Sequence, residues 1–366
     1  MTAAPPRLQR ATLPALTQGV WKLVQSVATP VVADDYLDMF APLRAGADLR
    51  ARVVEVRPET ADSATIVLRP GRSWAGHIPG QYIRLGVDIN GVRHWRAYSL
   101  TCRPGGSNIS VTVKAMPGGL VSNHLVRELA VGTMVMLEQA SGDFTLPPTV
   151  PSKLLFITAG SGITPVMGML RGRLTDPDVA ADVVLLHSTP TREDVIFGDE
   201  LRALSASGRI DLLERHTDTD GMLDLAELDQ LVPDWKQREV WTCGPAGLLD
   251  AAEMHWATVE RTAALHVERF RPTIIEPGEG GEVTFLDSGI SVDADGSTPI
   301  LDAGEDAGIL MKSGCRMGIC FSCVVTMRQG AVRDLRTGEI TTAEPGDELP
   351  IQTCINAVAG SCDIEL

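Results

Sequence analysis

The sequence predicts a multidomain protein in which an antiparallel β-barrel is followed by an alternating α/β domain and then by a small, separate C-terminal domain. Three observations predict this order. At 366 residues the chain exceeds the ~250 to 300 residues at which a single hydrophobic core stops growing. Its apolar patterning changes near residue 150, from short alternating runs to apolar strands interleaved with helical stretches. Charge is uneven as well: residues 281–366 hold 14 Asp and Glu against 5 Lys and Arg, a net of −9 in a chain whose total is −15.

The same composition excludes several classes. With 44% apolar and 22% charged residues the chain can bury cores, so a disordered or collagen-like chain is ruled out. A net charge of −15 opposes nucleic acid, whose binding rests on Lys and Arg neutralising phosphates. The longest uncharged apolar stretch, 154–170, is interrupted by glycines and Pro165 and falls short of the ~20 apolar residues a bilayer span needs. The opening MTAAPPRLQRATLP lacks a basic start, apolar run and cleavage site. A cytoplasmic location is therefore expected, with the seven cysteines reduced and available as ligands.

Taken in order, residues 1–49 place Leu13, Leu16, Val20, Val24 and Val27 at helical spacing, which predicts a helical extension packed on its own protein or facing a membrane-bound partner. Residues 50–150 carry alternating runs at 52–56, 65–68, 82–87, 109–114 and 133–138 between Gly, Pro and Asn turns, the pattern of antiparallel strands. Residues 151–271 predict strands at 153–158, 182–187, 210–215 and 239–243. Helices are expected after a glycine loop, to about residue 174, and through His255, which implies a parallel sheet covered on both faces. Pro272 and the Glu-Pro-Gly-Glu-Gly-Gly run at 276–281 make 272–281 a linker, leaving 282–366 as the last domain.

The sharpest motif is Cys315, Cys320 and Cys323 followed after 30 intervening residues by Cys354. This C-x4-C-x2-C…C spacing suits four thiolates around a plant-type 2Fe-2S cluster. Gly314 and Gly318 let the loop curl and turn amides toward the sulfurs. Structural zinc also takes four thiolates, but usually from paired cysteines rather than three on one loop. Cys362, in an apolar closing strand, reads as a core residue. The domain resembles plant-type ferredoxins, which implies an α+β β-grasp fold.

In the barrel, Pro79-Gly80-Gln81-Tyr82 precedes Arg96-Ala97-Tyr98-Ser99-Leu100-Thr101, and Gly118-Gly119-Leu120-Val121-Ser122-Asn123-His124-Leu125 follows. In this order the segments resemble the flavin-binding motifs of the ferredoxin-NADP reductase family. An Arg fork and a glycine-rich helix N-terminus suit a pyrophosphate, and a Tyr ring suits an isoalloxazine face. The resemblance implies that Arg96 binds the FAD pyrophosphate, Tyr98 stacks on the flavin and Ser99 hydrogen-bonds near N5. Leu100, Thr101, Lys114, Gly118, Gly119, Leu120, Val121 and Ser122 are assigned to the same site. FMN remains the alternative, since reductases of the phthalate dioxygenase type share the domain order and bind it.

In the α/β domain, Thr158-Ala159-Gly160-Ser161-Gly162-Ile163-Thr164-Pro165 follows a strand and opens a helix, a place where phosphate is favoured. It departs from G-x-G-x-x-G at Pro165. With Cys243-Gly244-Pro245 it resembles the family's nicotinamide domain, so Gly160, Gly162, Thr164, Pro165, Cys243, Gly244 and Pro245 are expected at the coenzyme and Cys243 beside the nicotinamide. Ser188 and Arg192 after the second strand suit the 2′-phosphate of NADPH, with Arg215 a weaker helper. Glu193, Asp194, Asp218 and Asp220 nearby keep NADH open. Phe270, closing Glu268-Arg269-Phe270, either lies near the flavin or ends a strand.

The resemblance implies an NAD(P)H-dependent reductase with FAD and a 2Fe-2S cluster, with Tyr98, Ser99 and Cys243 at the reacting atoms. Such reductases serve oxygenases, hydroxylases and desaturases. Ala28-Thr29-Pro30, Asp34-Asp35-Tyr36-Leu37 and residues 80–101 are most similar to reductases of actinobacterial membrane fatty acyl-CoA desaturases. A desaturase acceptor, with peripheral placement at the inner face of the membrane through that partner, is the expectation. A hydroxylase or monooxygenase, alkane or aromatic, is the alternative. A redox-sensing iron-sulfur module without enzymatic activity would need a lost flavin or nucleotide motif, and none is lost.

Overall fold

The computed structural model describes residues 43, 48–174, 176, 178–270, 279–314, 316, 318 and 321–366. Almost all of the expected N-terminal extension and most of the 272–281 linker lie outside the described residues, as do Cys315 and Cys320.

Strands β1 (Arg50–Thr60), β2 (Ser63–Pro70), β3 (Tyr82–Ile89), β4 (Val92–Ser99), β5 (Ile109–Lys114) and β6 (Met134–Leu137) form an antiparallel sheet in the order β4-β3-β6-β1-β2-β5. A bridge between Leu100 and Val111 joins its two edge strands and closes the barrel. Period-two burial sets the register: Ile83, Leu85, Val87 and Ile89 of β3 enter the core with Ile66, Leu68, Val111 and Val113. Between β3 and β4, Asn90 and Gly91 both take positive φ (52° and 81°), the two-residue turn whose twist matches a hairpin. Helix α1 (Leu120–Arg127) covers the barrel with Val121 and Leu125.

The second sheet is parallel, in the order β11-β10-β7-β8-β9, built from β7 (Lys153–Ala159), β8 (Asp182–Thr189), β9 (Asp211–His216), β10 (Glu239–Cys243) and β11 (Leu265–Glu268). Alternate residues of β7 face different cores. Leu154 and Phe156 pack with α2 (Ile163–Met169) and Leu201 of α3 (Gly198–Ala206), whereas Leu155 and Ile157 pack with Ala252 and Trp256 of α4 (Ala246–Thr258). Strand order reverses at β7, between β10 and β8, so its carboxyl end opens the crevice in which such sheets bind ligands. The helix expected to reach residue 174 is α-helical only to Met169, and Leu170–Leu174 widens into a π turn. Arg171 in that turn reaches the barrel, donating to the carbonyl oxygen of Thr101 (2.7 Å).

The C-terminal domain is a mixed sheet, β13-β12-β17-β14-β15 with β16 on β14, from β12 (Gly281–Phe285), β13 (Ile290–Ala294), β14 (Val324–Asp334), β15 (Ile340–Ala343), β16 (Leu349–Gln352) and β17 (Asn356–Glu365). Its β12–β17 pair is parallel, and α5 (Ile300–Asp306) packs across it through Ile300, Leu301 and Ala303. Cys362 lies in this core, 1% exposed.

Candidate functional site

The flavin motif occupies β4 and the residues that follow it. Arg96 is half-buried, and its Nη1 donates to the Trp95 carbonyl oxygen (2.8 Å). Among the described residues no carboxylate pairs with it, and burial together with the nearby Arg316 charge lowers its pKa. A half-buried guanidinium with no carboxylate in direct contact, only Glu305 and Asp302 acting on it at longer range, fits an anion such as a pyrophosphate. Burial raises the Tyr98 pKa and keeps its phenol neutral, and Ser99 is buried beside it. Leu100 is in the core and donates its amide to Gln81; the Thr101 hydroxyl is used by Ser110 (2.9 Å), and Lys114 pairs with Asp62 (3.2 Å).

Gly119 caps α1 with no side-chain partner, so the helix amides behind Gly118 and Gly119 remain available to an anion. Val121 is buried and Leu120 exposed. Ser122 braces the loop instead of projecting from it, accepting from the Met116 amide (3.0 Å) and donating to the Gly119 carbonyl (3.3 Å). Asn123 does the same through its side-chain amide, to Met116 O (2.7 Å) and Gly119 O (2.8 Å). The motif reading passed over Asn123 because its importance depends on these backbone contacts.

The two nucleotide segments meet at the end of β7. A Cβ on Gly162 would collide with the Cys243 carbonyl, so only glycine lets the loop before α2 lie against β10. Thr164 donates to the Ser161 carbonyl (2.9 Å), Pro165 is buried in the first turn of α2, and Gly160 takes φ +53°. Gly244 and Pro245 carry β10 into α4, with Pro245 at its N-cap. Cys243 is fully buried; burial and the neighbouring Glu268 push its thiol pKa well up. Glu268 sits opposite Cys243 in the β10–β11 register, and burial, with help from Asp143 of the barrel, raises its carboxyl to about 7. In the sequence Glu268 stands out only as part of a strand end. Phe270, 38% exposed, follows it.

Ser188 is buried between Ala159 and Arg215 in the sheet register. Arg192 is exposed and 3.8 Å from Glu214. Arg202, which the motifs did not flag, also pairs with Glu214 (3.0 Å) and lines with Arg192, Ser205 and Leu212 a hollow of about 360 Å³. Arg215 is committed elsewhere, to Glu227 (2.5 Å) and the carbonyls of Asp220 (2.8 Å) and Gly221 (3.0 Å).

In the C-terminal domain the Cys323 and Cys354 sulfurs lie 3.2 Å apart although 30 residues separate them. Thr353 holds the pair, its amide (3.2 Å) and hydroxyl (3.0 Å) both donating to the Cys323 carbonyl. The hydrogen bond with Cys354 lowers the Cys323 thiol pKa, the direction a thiolate ligand needs. Gly318 takes φ +76° where a Cβ would lie 2.6 Å from Arg336 Nη1, and Gln352 donates to its carbonyl (3.0 Å). Two buried, converging thiols fit a thiolate-bound metal cluster.

Comparison with known proteins agrees with this geometry. Family models match as an oxidoreductase FAD-binding domain (residues 51–146), an oxidoreductase NAD-binding domain (156–254) and a 2Fe-2S iron-sulfur cluster binding domain (283–358). The chain is 47% identical to the NADPH oxidoreductase of Mycobacterium tuberculosis (strain ATCC 25618 / H37Rv) across 94% of its own length and 91% of the relative's. It is 30% identical to the ferredoxin reductase component of 3-ketosteroid-9-alpha-monooxygenase from the same strain, over 84% and 92%. Among solved structures, phthalate dioxygenase reductase shares the fold at TM-score 0.58 and 21% identity, covering 87% of this chain and 97% of that one. A type IV self-sufficient cytochrome P450 monooxygenase matches at TM-score 0.54 and 26% identity over 87% of this chain, which spans only 41% of that protein's length. The chain belongs to the ferredoxin-NADP reductase superfamily, as an NAD(P)H oxidoreductase that carries FAD and a C-terminal 2Fe-2S domain.

Proposed function

We propose that this reductase delivers electrons from NADPH to an oxygen-activating partner, and that the partner is a membrane fatty acyl-CoA desaturase. When bound, FAD accepts the two electrons of a hydride and returns them one at a time, which a 2Fe-2S cluster can carry. Arg96 and the α1 N-terminus hold the FAD pyrophosphate, Tyr98 lies on the ring and Ser99 reaches toward N5. Cys243, kept neutral by burial, borders the nicotinamide, with Glu268 beside it. Ser188 and Arg192 take the 2′-phosphate, with Arg202 pairing Glu214, which lines the same hollow. Cys315, Cys320, Cys323 and Cys354 bind the cluster.

The observation that carries the reading is the place of the cysteine loop. Through Ser322 it contacts the strand paired with the flavin motif, and Phe321 within it and Leu310 shortly before it in the chain are 66% and 71% exposed, apolar surface that an acceptor can cover. Among the described residues no helix is long and apolar enough to cross a membrane, so a membrane acceptor would be met by docking. The desaturase choice is supported by the resemblance over residues 80–101; the 3-ketosteroid monooxygenase relative favours a monooxygenase as second reading. Reconstitution with NADPH and either a membrane desaturase or a monooxygenase component decides between them. Turnover with the desaturase alone is the expected result, and turnover with the monooxygenase alone would replace it.

A further inference from the structure

Arg84 lies on β3, two residues past the Pro79–Tyr82 motif and outside the assigned site residues, yet only 7% of it is exposed. Its Nη1 donates to Glu138 (2.7 Å) and to the hydroxyl of Ser322 (2.9 Å), while Nη2 reaches the Ser313 carbonyl (3.4 Å). Its guanidinium also lies 5.2 Å from the centre of the Trp95 ring. Glu138 alone would neutralise the charge. The two added bonds cross to another domain and grip the cysteine loop at both ends, since Ser313 precedes Cys315 and Ser322 precedes Cys323. On the barrel side Arg84 pairs with Ala97, and its neighbours Ile83 and Leu85 pair with Tyr98 and Arg96. One side chain thus links the strand that backs the flavin motif to the loop that carries the cluster ligands.

We propose that Arg84 is a positioning residue that clamps the cluster loop onto the flavin domain and so sets the rate of electron passage from flavin to cluster. The inference rests on the cysteine loop holding the cluster, so iron content is measured first, in the wild-type holoenzyme and in each variant. In anaerobic rapid mixing with NADPH, Arg84→Met should bleach its flavin and reduce ferricyanide at wild-type rates with full iron. Its cluster should be reduced at least ~10-fold more slowly, because a fork of charge-assisted bonds holding the docked arrangement is gone. Arg84→Lys keeps the charge without the fork and should recover only part of the rate. Ser322→Ala removes one bond from the other domain and should slow the same step about threefold or more. It decides the matter if Arg84→Met loses flavin. Wild-type cluster reduction in a variant with full flavin and iron would overturn the proposal. Loss of iron from Arg84→Met would overturn it too, by making Arg84 a support of the cluster itself.

Discussion

Glu268 joins acid–base chemistry to stability. Its carboxyl, raised from 4.5 to about 7 by burial, binds a proton more tightly in the folded than in the unfolded chain. The resulting stabilisation is present below pH 4.5 and is lost as pH rises through about 7. Melting temperatures of wild type and Glu268→Gln between pH 4.5 and 8 should show a decline attributable to this group in the wild type only; parallel curves would refute it. At Arg192, replacement by Ala should raise KM for NADPH by roughly 10- to 100-fold and leave NADH nearly untouched, as loss of a charge-assisted bond to phosphate predicts. Equal effects on both coenzymes would exclude Arg192 from the 2′ site. Arg96, Tyr98, Cys243 and the four cysteines were proposed from the sequence alone, because the first three sit in short contiguous motifs and the cysteines in a distinctive spacing. Asn123, Arg202 and Glu268 were not, because each matters through a partner that only folding supplies: a loop carbonyl, Glu214, or Cys243 across a strand pair.

The elements were legible where one face is apolar and blurred where it is not. Strands β7, β8 and β10 read directly as apolar runs, since a central parallel strand is buried on both faces. Strand β4, Val-Arg-His-Trp-Arg-Ala-Tyr-Ser, has no such run: it is an edge strand, half-buried along most of its length, and its charged residues conceal the pleat. The contact between the glycine loop before α2 and β10 gives a test at this scale. Gly162→Ala should destabilise the α/β domain by about 1–3 kcal/mol, because the methyl group has no space against the Cys243 carbonyl. It should also raise KM for NADPH. Unchanged melting and unchanged KM would mean that the loop does not lie on β10.

Across the whole molecule, domain order and fold class were legible from the change in period and the motif order, but the seam between domains was not. Arg84 and Ser322 stand 238 positions apart, and although Ser322 falls within the Cys320-x2-Cys323 spacing, no pattern in the sequence couples it to Arg84. The surplus of 14 acidic over 5 basic residues in 281–366 should steer that domain toward a basic partner surface. Attraction between exposed charges is screened over ~8 Å at physiological salt, so partner reduction should slow as ionic strength rises tenfold, after correction for ferricyanide reduction at the flavin. A flat response would assign docking to apolar groups such as Phe321 and Leu310. The central claim is a chain that joins a flavin to a thiolate-held 2Fe-2S cluster, and analysis of bound iron, zinc and flavin in the purified protein tests it most directly. About two irons and one FAD per chain are expected, with iron falling in Cys320→Ser and unchanged in Cys362→Ser; zinc in place of iron would refute the cluster.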